Sequence, residues 1–481
     1  MTLESPLSHE ASFSLKKIGA SFFILGVFCM PFDCLEKMPH WFGEFSAEGA
    51  FYPLAIAVVI AGINIVWKRQ ILVPNHISFY FFALFLFWVL ISGVVNYHAI
   101  SESFTKGRSG LNKYLLQYVV LLFVFSLSIG CYQLCREAWG AKLLMVVNYT
   151  VLVSFLICAA YSLTEIFYFC GFKWSERLLL KINALYQVQR LLWPSLRSVC
   201  WEPSWFGSYF AFVYPGLLAC FFTGKRGRLF YLIVIVFSWV MIYLTYSRTA
   251  YFTAVAETFL FVLLMLFTRA FKARRKIFYV FIVSLMVFSG SVFVAVNWFP
   301  NAGKKGTETF ESLYNQDTTR RLSNVARFGA MDAAVRMGYF NPIFGVGLGQ
   351  YAFHMPEYVQ GWALESVEIR DYIAPDVLDT WAHSHCLFTR IFAETGVTGL
   401  LLWLSLWFSL AVSLSKKINQ ADYYDKLWPI LLLTTLLGVI AQGFNLGTFR
   451  FIGYWVLLPV LWVYYDCGVD LKDKGDCDDP Q

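Results

Sequence analysis

Residues 229–268 read LFYLIVIVFSWVMIYLTYSRTAYFTAVAETFLFVLLMLFT, two apolar runs joined at Tyr246-Ser247-Arg248-Thr249. Only Arg248 and Glu257 are charged in the whole stretch. Each run is long enough to cross a hydrocarbon core of about 30 Å as a helix, so the short join must be a turn at the membrane surface. An arginine in that turn costs free energy unless it snorkels to the headgroups or meets an anion. Glu257 sits deeper, as a hydrogen-bonding group or a proton relay, and is left unassigned.

Runs of the same kind recur from Ile18 to Tyr465, in a chain that is 58% hydrophobic and 14% charged. They begin near Ile18, Ala50, Ser78, Tyr114, Leu143, Trp205, Leu229, Tyr251, Ile277, Leu387, Leu427 and Phe451, which predicts an all-α integral membrane protein with about twelve transmembrane helices. The expected organisation is an N-terminal bundle of about nine helices over 1–298 and a large, partly helical outer loop over 299–384. C-terminal transmembrane helices over 385–466 and an acidic tail over 467–481 complete it.

The first residues are polar, with Glu4 and Glu10, and lack the basic opening of a cleavable signal. Lys16 and Lys17 then precede the first run, which reads as a retained anchor entered from the cytoplasm. With the N-terminus inside, each cytoplasmic turn carries Lys or Arg, among them Lys68, Arg136, Arg228, Lys272 and Lys417. The C-terminal tail then also lies inside. The net charge of +7 is explained by these juxtamembrane clusters and calls for no nucleic-acid partner. Cysteines such as Cys29, Cys158 and Cys220 lie within apolar runs without CxxC pairs, so neither a metal nor a cofactor is expected.

Two outer segments break the charge pattern. One, about 169–203, holds Lys173, Arg177, Lys181, Arg190 and Arg197; the other, 299–384, holds Lys304, Lys305, Arg320, Arg321, Arg327 and Arg336. Long loops translocate whatever their charge, so ligand binding has to be argued from particular residues. In the larger loop, Asp317 and Ser323 can cap a helix running to about Gly338, where Asn341-Pro342 stops it. On it Arg320, Asn324, Arg327 and Met331 recur at helical spacing, so one face carries two guanidinium groups. The glycines of Gly345-Val346-Gly347-Leu348-Gly349 suit a turn where backbone approaches another surface closely.

His383-Ser384-His385-Cys386 closes this loop, with Arg390 and Glu394 one and two turns further on. A neutral imidazole at that boundary can take a proton from a hydroxyl near neutral pH, though structural histidines are also common. Arg197 and Glu202, before the sixth run, could hold a polar ligand between tryptophans; equally, Glu202-Pro203 suits a helix start.

This combination resembles the O-antigen ligase and O-antigen polymerase superfamily of bacterial envelope glycan assembly. The family signature of His, a small polar residue, nine residues and Gly-x-x-Gly-aliphatic is matched by His385, Cys386, residues 387–395, Gly396-Val397-Thr398-Gly399 and Leu400. Cys386 departs from the usual Asn, Ser or Gln. Ser247-Arg248-Thr249-Ala250 is similar to the family's Ser-Arg-small motif. Arg327 through Asn341-Pro342-Ile343-Phe344-Gly345-Val346-Gly347 resembles its loop-helix arginine with Pro and Gly-x-Gly.

The resemblance implies a GT-C-like glycosyltransferase of the bacterial inner membrane, metal-independent and facing the periplasm. Its partners would be an undecaprenyl-pyrophosphate-linked oligosaccharide, membrane lipid and a chain-length regulator. His385 would be the general base, and Arg248 and Arg327 would bind pyrophosphate. Arg197, Glu202, Arg320, His383 and Arg390 are the expected further substrate contacts. A polymerase joining lipid-linked chains to a lipid-linked repeat unit is favoured, because the second basic segment suits a second pyrophosphate. A ligase transferring glycan to lipid A-core or protein uses the same parts, and a flippase for the same lipid is the non-enzymatic alternative.

Overall fold

The computed structural model describes residues 6–35, 38, 45–186, 195–224, 227–298, 318–378, 380–422 and 425–469. They form α1 (Pro6–Phe28), α2 (Phe51–Lys68), α3 (Ile77–Val95), α4 (Tyr97–Glu102), α5 (Gly110–Ala138), α6 (Leu143–Phe169), α7 (Lys173–Tyr186), α8 (Pro203–Thr223) and α9 (Arg228–Leu244). Next come α10 (Arg248–Phe267), α11 (Arg275–Trp298), α12 (Thr318–Phe340), α13 (Tyr351–Tyr358), α14 (Val367–Ile373), α15 (Leu387–Gln420), α16 (Leu427–Ala441) and α17 (Ile452–Cys467). Among the described residues the one sheet is a hairpin of β1 (Phe104–Thr105) and antiparallel β2 (Arg108–Ser109).

Every expected apolar run falls on a helix, since a chain in lipid must satisfy its backbone groups within each segment. Among the described residues, eight helices are long and apolar enough to cross a membrane, so the protein is a multi-pass membrane protein. The apolar α9 and α17 are shorter.

The chain folds as two compact units: Met1–His76, Phe125–Glu202 and Ile452–Gln481 form one, Ile77–Val124 and Pro203–Phe451 the other. In the first, α1 packs on α2 and α6, and α6 also meets α7 and α17. Lys16 and Lys68 share the carboxylate of Glu137 there, at 3.0 and 2.7 Å.

In the second unit α3 lies along α15, and α8, α10 and α16 pack together. Its outer lobe is built on α12, whose Ala326, Ala330, Ala333, Ala334 and Met337 are buried against Tyr351, Met355, Ala363, Ile369 and Tyr372. The small side chains repeat every three or four residues, so one face of α12 lets its neighbours approach closely. The described helix starts at Thr318, so Ser323 lies within its body and does not cap it. Asp317 lies outside the described residues. At the other end the Asn341 amide donates to Met337 O at 3.0 Å before Pro342 stops the helix.

The two glycine motifs form one interlock. The helix α15 breaks at Gly396 (φ 71°, ψ −174°), where a Cβ would lie 2.1 Å from the Ile343 carbonyl oxygen. The break frees carbonyls that the other motif caps: Val346 N donates to Ala393 O at 3.0 Å and Gly347 N to Glu394 O at 2.9 Å. Val397 N returns a bond to Pro342 O at 2.7 Å. From α3, Trp88 Nε1 donates to Thr395 O at 2.9 Å, Ser92 Oγ to Phe344 O at 2.6 Å and Asn96 Nδ2 to Gly345 O at 3.0 Å. The expected close approach of backbone to another surface is therefore the approach of residues 342–347 to the broken turn of α15.

Candidate active site

His385 is placed by the start of α15. It has φ 56°, a conformation uncommon outside glycine, and it is held there from beneath by Gly447. A Cβ on Gly447 would lie 2.9 Å from His385 N, so no other residue fits without displacing the histidine. Arg390 fixes Gly447 by donating to its carbonyl at 2.9 Å. The same guanidinium donates to both Glu394 oxygens at 3.2 Å and to Gln117 Oε1 at 3.2 Å. Arg390 was expected to touch substrate; it is 9% exposed and its donors are committed to the frame under His385.

Cys386 occupies the N-cap position of α15, and its side chain makes no capping bond. The Ser384 hydroxyl instead donates to the Cys386 carbonyl at 2.8 Å.

Around His385 stands a polar cluster that sequence reading only partly anticipated. Glu368 Oε1 on α14 lies 3.4 Å from His385 Nε2. Tyr372, one turn on, donates its hydroxyl to Glu368 Oε1 at 2.5 Å, and the same hydroxyl lies 3.1 Å from His383 Nδ1. The rings of His383 and His385 are 4.1 Å apart between centroids. The nearby His385, then the hydrogen bond from Tyr372, hold the Glu368 carboxyl down at about 2. Burial, reinforced by Glu368, pushes the Tyr372 hydroxyl far up, and Arg327 opposes that rise.

That opposition places the Arg327 guanidinium near the cluster. Among the described residues Arg327 has no ion pair, so its donors are available to an anion. Glu368, His383 and His385 each present one potential metal-ligand atom, all within 4.8 Å of one another.

Arg248 approaches the same α12 face. Ser247 caps α10, its Oγ accepting from Ala250 N at 3.4 Å, which makes Arg248 the first helical residue. Its guanidinium donates to Asn324 Oδ1 at 2.7 Å, one turn before Arg327. A helix N-terminus and an arginine add up to a strongly anion-favouring position. The turn is braced by Thr249 Oγ1 donating to Asn445 Oδ1 at 3.1 Å and by Gly207, where a Cβ would lie 2.6 Å from the Ala250 Cβ. Arg320 begins the same face of α12, and its side chain lies outside the described residues.

Arg197 and Glu202 belong to the first unit. Arg197 is 2% exposed, its guanidinium donating to Trp201 O at 3.2 Å, while the backbone of Arg197 and Ser198 donates to buried Glu165 at 3.5 and 2.9 Å. This burial makes Arg197 part of the loop's framework, against the expectation of a substrate contact. Glu202 precedes α8, whose first residue is Pro203, so the helix-start reading of that pair holds. Glu257 is 2% exposed and neither carboxylate oxygen has a hydrogen-bond partner among the described residues; Gly438 supplies the space it fills.

Glu368 and Tyr372 escaped the sequence reading. Their i, i+4 spacing lies among other charged residues of the loop, and only the phase of α14 against the 383–386 segment selects them.

Residues 232–404 match the family model described as O-antigen ligase. No curated protein matches the chain. The matched segment runs from α9 into α15 and contains Arg248, Arg327, His385 and the glycine interlock. With its motifs in the family's order and meeting in one place, this segment of the chain is similar to the O-antigen ligase family.

Proposed function

We propose that this protein is a glycosyltransferase of bacterial envelope polysaccharide synthesis that uses a glycan on undecaprenyl pyrophosphate as donor. The observation that carries the reading is the convergence of an imidazole, His385, and an uncommitted guanidinium, Arg327, beside a second arginine hydrogen-bonded to the same helix face.

In the proposed step an acceptor hydroxyl attacks the anomeric carbon. The new glycosidic C–O bond forms as the C–O bond to pyrophosphate breaks, and the pyrophosphate leaves with the electron pair. His385 takes the hydroxyl proton. Negative charge grows on the leaving group, and the permanently charged Arg248 and Arg327 can stabilise it with bidentate hydrogen bonds. These guanidiniums supply the charge that a divalent ion would otherwise provide, in keeping with metal-independent transfer. His383, through Tyr372, belongs to the support of the base.

The favoured acceptor is a second lipid-linked repeat unit, which makes the protein a polymerase. The support for this is the outer basic segment before α8, where Arg177 and Lys181 are exposed on α7. Deleting the gene in a strain with capped lipopolysaccharide tests it. A core carrying a single repeat unit identifies a polymerase; complete loss of capping with accumulated lipid-linked chains identifies a ligase and overturns the preference. Transfer by the purified protein should be lost in H385A, whereas unchanged glycan length with that variant would fit a flippase.

A further inference from the structure

We propose that Glu368 is a positioning residue that holds the proton of His385 on Nε2, leaving Nδ1 as the atom that receives the acceptor's proton. The inference rests on the reading of His385 as general base and assigns the nitrogen that acts.

The argument begins with access. His385 Nε2 is shut off from solvent, and among the described residues Glu368 Oε1, at 3.4 Å, is the acceptor it faces. A nitrogen enclosed in this way cannot meet a sugar hydroxyl. The side chain nevertheless keeps 14% of its surface exposed, and the other ring nitrogen is the one left to face a substrate.

Proton counting gives the tautomer. A neutral imidazole has one N–H donor and one lone-pair acceptor, and the partner of one nitrogen decides which is which. The Glu368 carboxylate already accepts the Tyr372 proton and has none to give, so opposite its oxygen Nε2 must be the donor. The carboxylate is itself fixed: the single Tyr372 hydroxyl proton goes to Glu368 at 2.5 Å, so that hydroxyl accepts from His383 Nδ1 at 3.1 Å. The chain then runs from His383 Nδ1–H to the Tyr372 hydroxyl and from that hydroxyl to Glu368, with His385 Nε2 facing the same carboxylate at 3.4 Å.

Among the described residues, every charged or titratable group facing His385 fits this assignment. Glu368 and Tyr372 come from α14, His383 from the same segment, and Arg327 from α12 on the far side of Tyr372. A carboxylate behind a catalytic imidazole sets its tautomer and steadies the imidazolium formed when the proton arrives. The proton moves from the acceptor oxygen to Nδ1, and Glu368 stays ionised throughout.

The test uses the full-length protein in lipid nanodiscs with a lipid-pyrophosphate-linked glycan. With ring-15N-labelled histidine there are seven histidines to resolve, and the His385 signal is assigned as the one missing in H385Q. Expected for the native protein is a protonated Nε2 and an unprotonated Nδ1. In E368Q, His385 should lose that single tautomer, and kcat should fall by about 10²-fold while KM stays within about twofold. E368D should recover part of the rate, and Y372F, which only loosens the carboxylate, should lose less than E368Q. If E368Q fails to fold, E368D and Y372F carry the test through the same 15N signals. A proton found on Nδ1 of the native protein, or a tautomer and kcat unchanged in E368Q, overturns the inference. Full transfer by H385A would instead overturn the general-base reading on which it stands; an inactive H385A beside a fully active E368Q removes Glu368 alone.

Discussion

The two basic segments outside the membrane look alike in sequence and differ in what surrounds their cations. In the segment before α8, Arg197 is buried and bonded to Trp201 O, and the exposed Arg177 and Lys181 share α7 with exposed Trp174, Leu178 and Leu185. That helix has the form of one lying at a lipid interface, apolar on one stripe and cationic on the next. In the lobe built on α12, arginine is partly exposed and converges with two histidines, a carboxylate and a tyrosine. Positive charge in these loops therefore has two physical meanings here. What separates them is whether a group able to move a proton shares the space.

Substitutions can break that contrast. The largest effect should come from H385A, which removes the base and should lower transfer by about 10²- to 10⁴-fold in a purified assay. A retained rate would leave the lobe no more catalytic than α7. Next come R248A and R327A, each expected to lower kcat by about 10²- to 10³-fold through lost stabilisation of the departing pyrophosphate. Lysine should recover little of that loss, because a point charge does not reproduce a bidentate fork. R197M should act on the fold instead. Its melting temperature in detergent should fall, in line with a cost of about 1–3 kcal/mol for stranding a buried partner, with transfer per folded molecule unchanged. A kcat defect at full stability would move Arg197 back among the substrate contacts. The smallest effect should follow the double change R177A with K181A, whose transfer rate should stay within about twofold because exposed cations contribute little on their own. A large loss there would favour a second pyrophosphate site on α7 over a lipid-facing role.

Much of the architecture was legible in the order of residues because lipid imposes a simple rule. Twelve apolar runs became twelve helices. Arg248 and Arg327 stood out because a guanidinium is conspicuous in a short turn or on a helix face, and His385 because imidazoles are scarce. Arg390 misled for the same reason. Nothing in His385-Cys386-Leu387-Phe388-Thr389-Arg390 reveals that Gly447 and Gln117, far along the chain, absorb its donors. Glu368 was hidden by the opposite problem, being one of many carboxylates in a polar loop. The glycine motifs were recognisable as places of close approach, but their mutual capping depends on a broken helix that no local spacing encodes.

That break also has a mechanical meaning. Above Gly396, the short opening stretch of α15 is bound to residues 342–347 and to α3; below it, the remainder runs on through Leu400 and Trp403 toward Gln420. A spanning helix tilts to match the thickness of the bilayer around it. The backbone register of α15 is interrupted at Gly396, and α3, which packs on Thr395 before the break and on Trp403 after it, is the continuous rod that ties the two stretches together.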